Sequence, residues 1–386
     1  MSFRKALVLS KGLHEPWNLG EAVLSRNFTL LLSEIYNELY VISTIDVKRG
    51  NDLRAFTPSN SKVRFMKYYY NYNKAVIEEL KKVIGSEKID IHVLNASLID
   101  VLKSGIINYA RRIWLYKFSL GRYDIADLKT GLVKDYITLL LSDLNFINII
   151  TTSLVGYIKY SKFSRNVYFI PVPIYVPYSI VEYYNVLGRN RNSNYDLTLT
   201  YIGHGVYERF PFIPILKVIS KLRKEGYTVH LNTYISTWRH VNYADFVKLF
   251  KKAIDKYNLG TCVEIYVTNL TDEEKLKVLF NSDVFLFPSL TQGVIDPPLS
   301  VLEAMFSGCI VVATPVQSLQ LILDRRRGFL ISQKKIGSDL YDVLSRIVKQ
   351  PKLIKEYRDK SMRYAVSFHS PNIVLKKLHG IIKGKG

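Results

Sequence analysis

Two carboxylates, a set of glycines and one arginine mark where this 386-residue sequence could do chemistry. Glu303 stands amid Val301, Leu302, Ala304 and Met305, in the run "LSVLEAMFSG". A charged group in such company sits either at the edge of a helix or against a ligand, because burying it unpaired is costly. Upstream, Asp296 precedes Pro297 and Pro298, an order suited to a helix start with an acidic group at its positive end. Gly293, in the loop from Ser289 to Pro297, permits close approach of backbone to a bound molecule. In "TYIGHGVYERFPF", Gly203 and Gly205 supply a turn and Arg209 follows it. An arginine fork can hold two phosphate oxygens.

These residues need a frame that gathers them. Apolar runs alternate with amphipathic ones from end to end. "KALVLS", "LYVIS", "KVRFMKYY", "IDIHVLN", "RIWLYKF", "FINIITT" and "VYFIPV" read as strands of a first series, with helical periods such as Glu21–Tyr36 and Asn73–Ile84 between them. Strand then helix, repeated, means a parallel sheet covered on both faces. Pro171, Pro173 and Pro177 interrupt the pattern and the polar "GRNRNSNYD" follows, a linker signature. A second series runs through "LTLTYIG", "TVHLNTY", "VEIYVTN", "VFLFP" and "CIVVAT", with helices at Leu216–Arg223, Ala244–Lys256 and Glu273–Phe280. Tyr341 to Lys383 reads as helical and basic. The expected architecture is α/β: two Rossmann-like, doubly wound domains facing across a cleft. Residues 1–175 form the first domain and 176–365 the second, and 366–386 form a basic helix packing back on the first. Open parallel sheets bind ligands beyond the carboxyl ends of their strands, which is where the unusual residues fall.

Composition narrows the class. The chain is 48% apolar, enough for substantial cores, and its length suits two domains. No apolar run approaches the ~20 residues of a membrane span. "MSFRKALVLSKGL" reads as a first strand and not as a signal peptide. Cys262 and Cys309 lie in apolar, strand-like runs without metal-ligand spacing. The expected location is the cytoplasm, with the inner membrane face as a peripheral address. Fifty-four basic against 33 acidic side chains give a net charge of +21, spread over both halves. That suits a phosphorylated substrate, an anionic membrane face or nucleic acid, or else a Lys- and Tyr-rich heat-adapted composition with no polyanion partner.

"LEAMFSG", "CIVVATP" and "GFLI" at Gly328–Ile331 together resemble the GT-B glycosyltransferases, in particular retaining family 4, the group 1 transferases. The resemblance runs from about Leu197 to Ile331. It implies that Glu303 binds the ribose hydroxyls of a nucleotide, a carboxylate being able to accept both protons of a diol. The family's other glutamate is replaced by Ile295, and Asp296 is the nearest carboxylate: a substitute on the donor sugar, or a helix cap. Backbone amides from Gln292 to Ile295, Gly293 included, are implied to hold the sugar or diphosphate. Gly203 with Arg209 takes the place of the family's diphosphate site. Its frequent second cation is absent until Lys217. Thr268, Asn269 and Leu270 occupy the place that receives the base.

On the acceptor side, Gly20 after the first strand resembles the family's glycine loop. His14 and Glu15 in that loop can touch acceptor hydroxyls or be solvated. Where many relatives carry a histidine, this chain has Lys117 and Ser119, and no catalytic base is assigned. Tyr68, Tyr69, Tyr70 and Tyr72 can stack on sugar rings, lie at a membrane interface or fill the core.

The reading is therefore a hexosyltransferase-type enzyme. It moves a sugar, with retention, from a nucleoside-diphosphate sugar to a glycan or lipid-linked acceptor. Arg209 and Asp296 are its catalytic candidates. Gly20, Gly203, Thr268, Leu270, Gly293, Ile295 and Glu303 join them around the donor, and His14, Tyr69 and Lys117 face the acceptor. No metal and no cofactor is expected beyond the nucleotide-sugar substrate. Rival readings are a nucleic-acid glycosyltransferase, a binding-only relative and, less favoured, an epimerase. No Walker loop, dinucleotide fingerprint, nucleophile elbow or paired-histidine metal motif occurs.

Overall fold

The computed structural model of the chain describes residues 3–11, 13, 20–44, 62–69, 74–96, 98–118, 128–176, 195–237, 243–291, 295–324 and 327–384. The chain forms two compact units. The first comprises Met1–Pro173, Val294–Asp296 and Pro371–Gly386. Its sheet has strands β1 (Phe3–Lys11), β2 (Tyr36–Thr44), β3 (Val63–Tyr69), β4 (Ile89–Val93), β5 (Ala110–Lys117), β6 (Asn148–Thr151) and β7 (Val167–Phe169). They are parallel, in the order β3-β2-β1-β4-β5-β6-β7. Helices α1 (Gly20–Ile35), α2 (Lys74–Ile84), α3 (Leu98–Ser104), α4 (Leu128–Asp143) and α5 (Leu154–Tyr160) make its connections.

The second unit comprises Ile174–Gly293 and Pro297–Ser370. Strands β8 (Leu197–His204), β9 (Val229–Ser236), β10 (Val263–Val267), β11 (Val284–Phe287), β12 (Ile310–Ala313) and β13 (Gly328–Leu330) form a parallel sheet ordered β10-β9-β8-β11-β12-β13. Its helices are α6 (Phe212–Lys224), α7 (Tyr243–Lys256), α8 (Asp272–Phe280), α9 (Leu299–Phe306), α10 (Leu319–Ile322), α11 (Ile336–Lys349) and α12 (Lys352–His369). A final helix, α13 (Pro371–Ile382), belongs to the first unit and packs on α1.

The central strands read as unbroken apolar runs because both faces are covered. Ala6 to Leu9 and Ile310 to Ala313 are fully buried. Each unit has its own core. One is built around Leu7, Ile91, Ile113 and Ile149, the other around Leu199, Leu231, Leu286 and Val312. The expected GT-B class is what the chain adopts: two α/β units on parallel sheets. The single basic helical tail resolves into α11, α12 and α13, divided at Pro351 and Pro371, since proline accepts the start of a helix but not its interior. Helices α3, α4 and α5 lie between strands of the first series, where the alternation calls for helices without marking their ends. Tyr70, Tyr72 and most of the polar linker lie outside the described residues.

In each sheet the strand order reverses once, at β1/β4 and at β8/β11. At such a switch point the loops leaving neighbouring strands turn to opposite faces and open a crevice. The loops after β8 and β11 carry the residues singled out by type and spacing.

Candidate active site

The second unit gathers one cluster of the candidate residues. Beyond β8, Gly205 is buried against Ile235 and Phe246, and a methyl group there would come within 2.7 Å of Ile235. Tyr201 donates its hydroxyl hydrogen bond to the His204 carbonyl at 3.0 Å and stacks on Phe210, which fixes the turn. Arg209, half-buried, comes out of that turn. Its Nη1 lies 3.4 Å from Ser289 Oγ and 3.3 Å from the Thr291 carbonyl, in the loop after β11. The Leu290 amide donates to the Glu208 carbonyl at 2.7 Å. The two loops at the switch point are thus tied together, with the guanidinium between them. Lys217 is exposed on α6 and has no place in this cluster.

Glu303 sits in the middle of α9, a helix whose apolar residues Val301, Leu302, Ala304 and Met305 are all buried. The glutamate is 8% exposed. Its Oε1 accepts from Lys275 Nζ of α8 at 2.8 Å, and its Oε2 has no hydrogen-bond partner. An enclosed carboxylate oxygen without a donor costs free energy that a ligand's hydroxyl would recover. Sequence reasoning misses Lys275. The available signal is a lysine one helical turn before the buried Leu279, on the packing side of its helix.

Thr268 and Leu270 follow β10. The Thr268 amide donates to the Ile235 carbonyl at 3.0 Å. Asn269 clamps Thr237 in both directions, accepting from its amide at 3.0 Å and donating to its hydroxyl at 2.6 Å. The loops after β9 and β10 therefore form one exposed ledge beside α8. A cavity of about 440 Å³ adjoins Leu290, lined also by Tyr207, Gln333, Lys334 and Lys335. Gln333 donates to the Ser289 carbonyl at 3.2 Å. Neither lysine is expected near the site from sequence.

Residues 215–350 match the family described as Glycosyl transferases group 1. That span of the chain is similar to the group 1 glycosyltransferases. The matched span includes Thr268, Leu270, Asp296 and Glu303; Gly203 and Arg209 lie just before it. A search of curated sequences finds no match. Solved structures share the fold. HepE of Anabaena, solved with UDP and glucose, aligns over 99% of this chain and all of its own, with 11% identity and a TM-score of 0.68. Sucrose-phosphate synthase of Thermosynechococcus elongatus aligns over 99% of this chain and 98% of its own, with 15% identity and a TM-score of 0.70. WaaG, a glycosyltransferase involved in lipopolysaccharide biosynthesis, aligns over 98% of this chain and all of its own, with 14% identity and a TM-score of 0.58.

In the first unit, Gly20 opens α1 at the carboxyl edge of the sheet, beside the β1/β4 switch point. Glu21 follows. Burial holds its carboxyl above the usual range, against a hydrogen bond from Asn95 and the charge of Lys11, which both pull it down. Nothing in the sequence singles that carboxyl out. Lys117 is committed to Asp135 at 2.8 Å, and Asp135 also accepts from Tyr160 at 3.1 Å. Tyr69 ends β3, paired with Thr44 in the ladder. His14, Glu15, Ser119, Gln292 and Gly293 lie outside the described residues.

Asp296 has a setting that its neighbours in sequence do not suggest. It is fully buried and groups with the first unit. Its amide donates to the Phe118 carbonyl at 2.7 Å, and its own carbonyl accepts from Thr152 Oγ1 at 3.0 Å. Its carboxylate accepts the Ser153 hydroxyl, and Ser153 in turn caps α5 by accepting from the Gly156 amide at 2.8 Å. The helix that follows it, α9, has Pro298 at its cap position and no side-chain cap. No side chain caps α9, and the Asp296 carboxylate meets the Ser153 hydroxyl instead. Ile295 is buried beside it. Among the described residues, no three His, Cys, Asp or Glu side chains converge as metal ligands. No described helix is long and apolar enough to cross a membrane.

Proposed function

We propose that this glycosyltransferase moves a hexosyl group, with retention, from a nucleoside-diphosphate sugar to a glycan or lipid-linked acceptor, without a metal. The observation that carries the reading is that one unit holds both Arg209, after β8, and Glu303, on the helix after β11. Arg209 is held between two loops, and Glu303 offers a buried carboxylate with acceptor capacity to spare. Glu303 would take the ribose hydroxyls, and the ledge at Thr268 and Leu270 would take the base. Arg209 would stabilise the diphosphate as the glycosidic bond breaks and negative charge grows on the leaving oxygen. The departing phosphate oxygen would accept the proton of the acceptor hydroxyl, so no protein base is required. Gly203 and the amides from Gln292 to Ile295 would let the donor approach backbone closely. Gly20 and Lys117 would lie on the acceptor side with His14 and Tyr69. UDP-sugars are the first donors to try, because HepE is solved with UDP.

A lipid-linked acceptor met at an anionic membrane surface is favoured by one face of the first unit. Tyr136, Leu144 and Phe163 are 69%, 65% and 62% exposed, and Ile137, Leu140, Phe146 and Ile158 are exposed with them. The end of α4 and the turn after α5 are joined by Ser142 with Ser164 at 2.9 Å and by Asn166, which donates to the Ser142 carbonyl at 2.8 Å. Leu144, Phe146 and Phe163, next to these residues in the chain, therefore share one region. Among the described residues there, exposed Lys159, Lys162 and Arg165 stand against a single exposed carboxylate, Asp143. Apolar side chains ringed by cations suit anionic headgroups.

The experiment is a thermal-shift screen of UDP-, GDP- and ADP-sugars, then turnover of the stabilising donor with membrane extract. A donor that binds raises the melting temperature with saturation. No stabilisation by any nucleotide sugar would sink the reading. Binding without turnover would favour a binding-only relative, the reading that the enclosed Asp296 supports.

A further inference from the structure

Glu303 is held from behind by a residue on another helix. Lys275, in the first turns of α8, lies 2.8 Å from Glu303 Oε1 and 3.6 Å from Asp272 Oδ1. The lysine and glutamate side chains are 16% and 11% exposed, so solvent ions screen their attraction little. The root of the lysine is rigid. Thr271 caps α8 by accepting from the Glu274 amide at 3.2 Å, and the Glu274 carboxylate accepts in return from the Thr271 amide at 2.8 Å. Leu276 and Leu279 bury the inner side of the same helix.

A glutamate side chain has three torsions, and a diol is bound well only if both carboxylate oxygens are held in one orientation. Lys275 restrains one oxygen and balances the charge, while Oε2 has no partner among the described residues. We propose that Lys275 is a positioning residue for nucleotide recognition: by holding Glu303 Oε1 it aims the carboxylate at the ribose diol. The proposal rests on the reading of Glu303 as the ribose ligand. Without Lys275 the carboxylate would be left enclosed and uncompensated, and it would rotate toward water and lose its aim.

The test is calorimetric binding of UDP and of its 2′,3′-dideoxy analogue. In the unaltered protein UDP is expected to bind at least about tenfold tighter than the analogue, since a site built for a hydroxyl discriminates against its loss. Lys275→Met is expected to weaken UDP about tenfold while leaving the analogue nearly unaffected, so that the preference collapses. Lys275→Arg, which keeps the cation, is expected to restore most of the preference, and it also tests the idea if the Met variant folds poorly. In a Glu303→Gln background, Lys275→Met should change UDP affinity less than about twofold, because the lysine acts only through that carboxylate. Two results overturn the proposal: a folded Lys275→Met variant that keeps its preference, or a lysine effect that persists in the Glu303→Gln background, where the carboxylate is gone. Failure of Glu303→Gln itself to weaken UDP would instead remove the ribose reading beneath it.

Discussion

Arg209 reaches from the loop after β8 to the loop after β11, with Nη1 3.3 Å from the Thr291 carbonyl and 3.4 Å from Ser289 Oγ. One guanidinium nitrogen serves both acceptors, and the whole group carries five N–H donors. Removing it should therefore act on the chemical step more than on the fold. Arg209→Ala is expected to lower kcat roughly 100- to 1000-fold, as loss of a charge-stabilising donor does. Arg209→Lys should recover only part, for lysine cannot fork. Steady-state rates at saturating donor, with melting temperatures alongside, check this.

The buried Asp296 should behave as an anchor of its loop. Ser153→Ala removes both the hydroxyl that Asp296 accepts and the cap of α5. An expected loss of about 1–3 kcal/mol follows from the unsatisfied carboxylate and the lost cap. Asp296→Asn keeps the shape and one acceptor, so it should cost less stability than Ser153→Ala. If Asp296 also meets the donor sugar, Asp296→Asn should cut turnover far more than it lowers the melting temperature. Denaturant unfolding paired with kinetics separates these outcomes.

Acid should destabilise the first unit in two stages. His92 is enclosed, bonded to Tyr36 and Tyr116 at 3.0 Å each, and burial lowers its pKa to about 3. Its neutral form is the folded one, so the stability it contributes is full above the unfolded value of about 6.5 and falls as pH drops from there toward 3. The slope is about 1.4 kcal/mol per pH unit while one extra proton binds the unfolded chain. Asp90 lies in the same cluster. Burial would raise its carboxyl, but hydrogen bonds from Arg111 and Arg112 outweigh that and leave it lowered. Its contribution is present above the usual aspartate range and is lost only as pH falls below about 4. His92→Gln should flatten the urea midpoint between about pH 6.5 and 4 and leave the steeper loss below about pH 4.

The exposed face of α4 and α5 should govern attachment to lipid. The Leu144→Ser, Phe163→Ser double variant removes two surface side chains that are 65% and 62% exposed, so folding should be unaffected. Flotation with vesicles containing anionic lipid is expected to fall several-fold for this variant and to weaken with salt for the parent. Equal flotation of both proteins would count against this face. Salt-steep binding to DNA and none to vesicles would favour the nucleic-acid reading.

What the sequence discloses depends on how far apart the deciding partners lie. Strand runs such as Ala6–Leu9 and Ile310–Ala313 are legible because the doubly covered sheet demands unbroken apolar residues. Glu303 is legible because its neighbours on α9 are uniformly apolar. Lys275 is not, since its partner is 28 residues away on another helix. The setting of Asp296 is hidden more deeply, its hydroxyl partner being 143 residues distant. Pro351 and Pro371 do announce the breaks between α11, α12 and α13, but the continuous helical period across them obscures the signal. Helix α4 has only a weak apolar stripe and leaves several large side chains in solvent, which removes the cue that periodicity supplies.

The first unit is assembled from both ends of the sequence. Helix α13 packs on α1, and Arg112 donates to the Ile382 carbonyl at 2.6 Å, closing that unit with the last turn of the last helix. During synthesis, residues 174–370 therefore leave the ribosome before the unit that precedes them can be completed. A newly made chain would have its second unit assembled while its first still waited for its final helix. A chain stopped short of Pro371 should lose integrity at its beginning, far in sequence from the cut, and keep the middle whole.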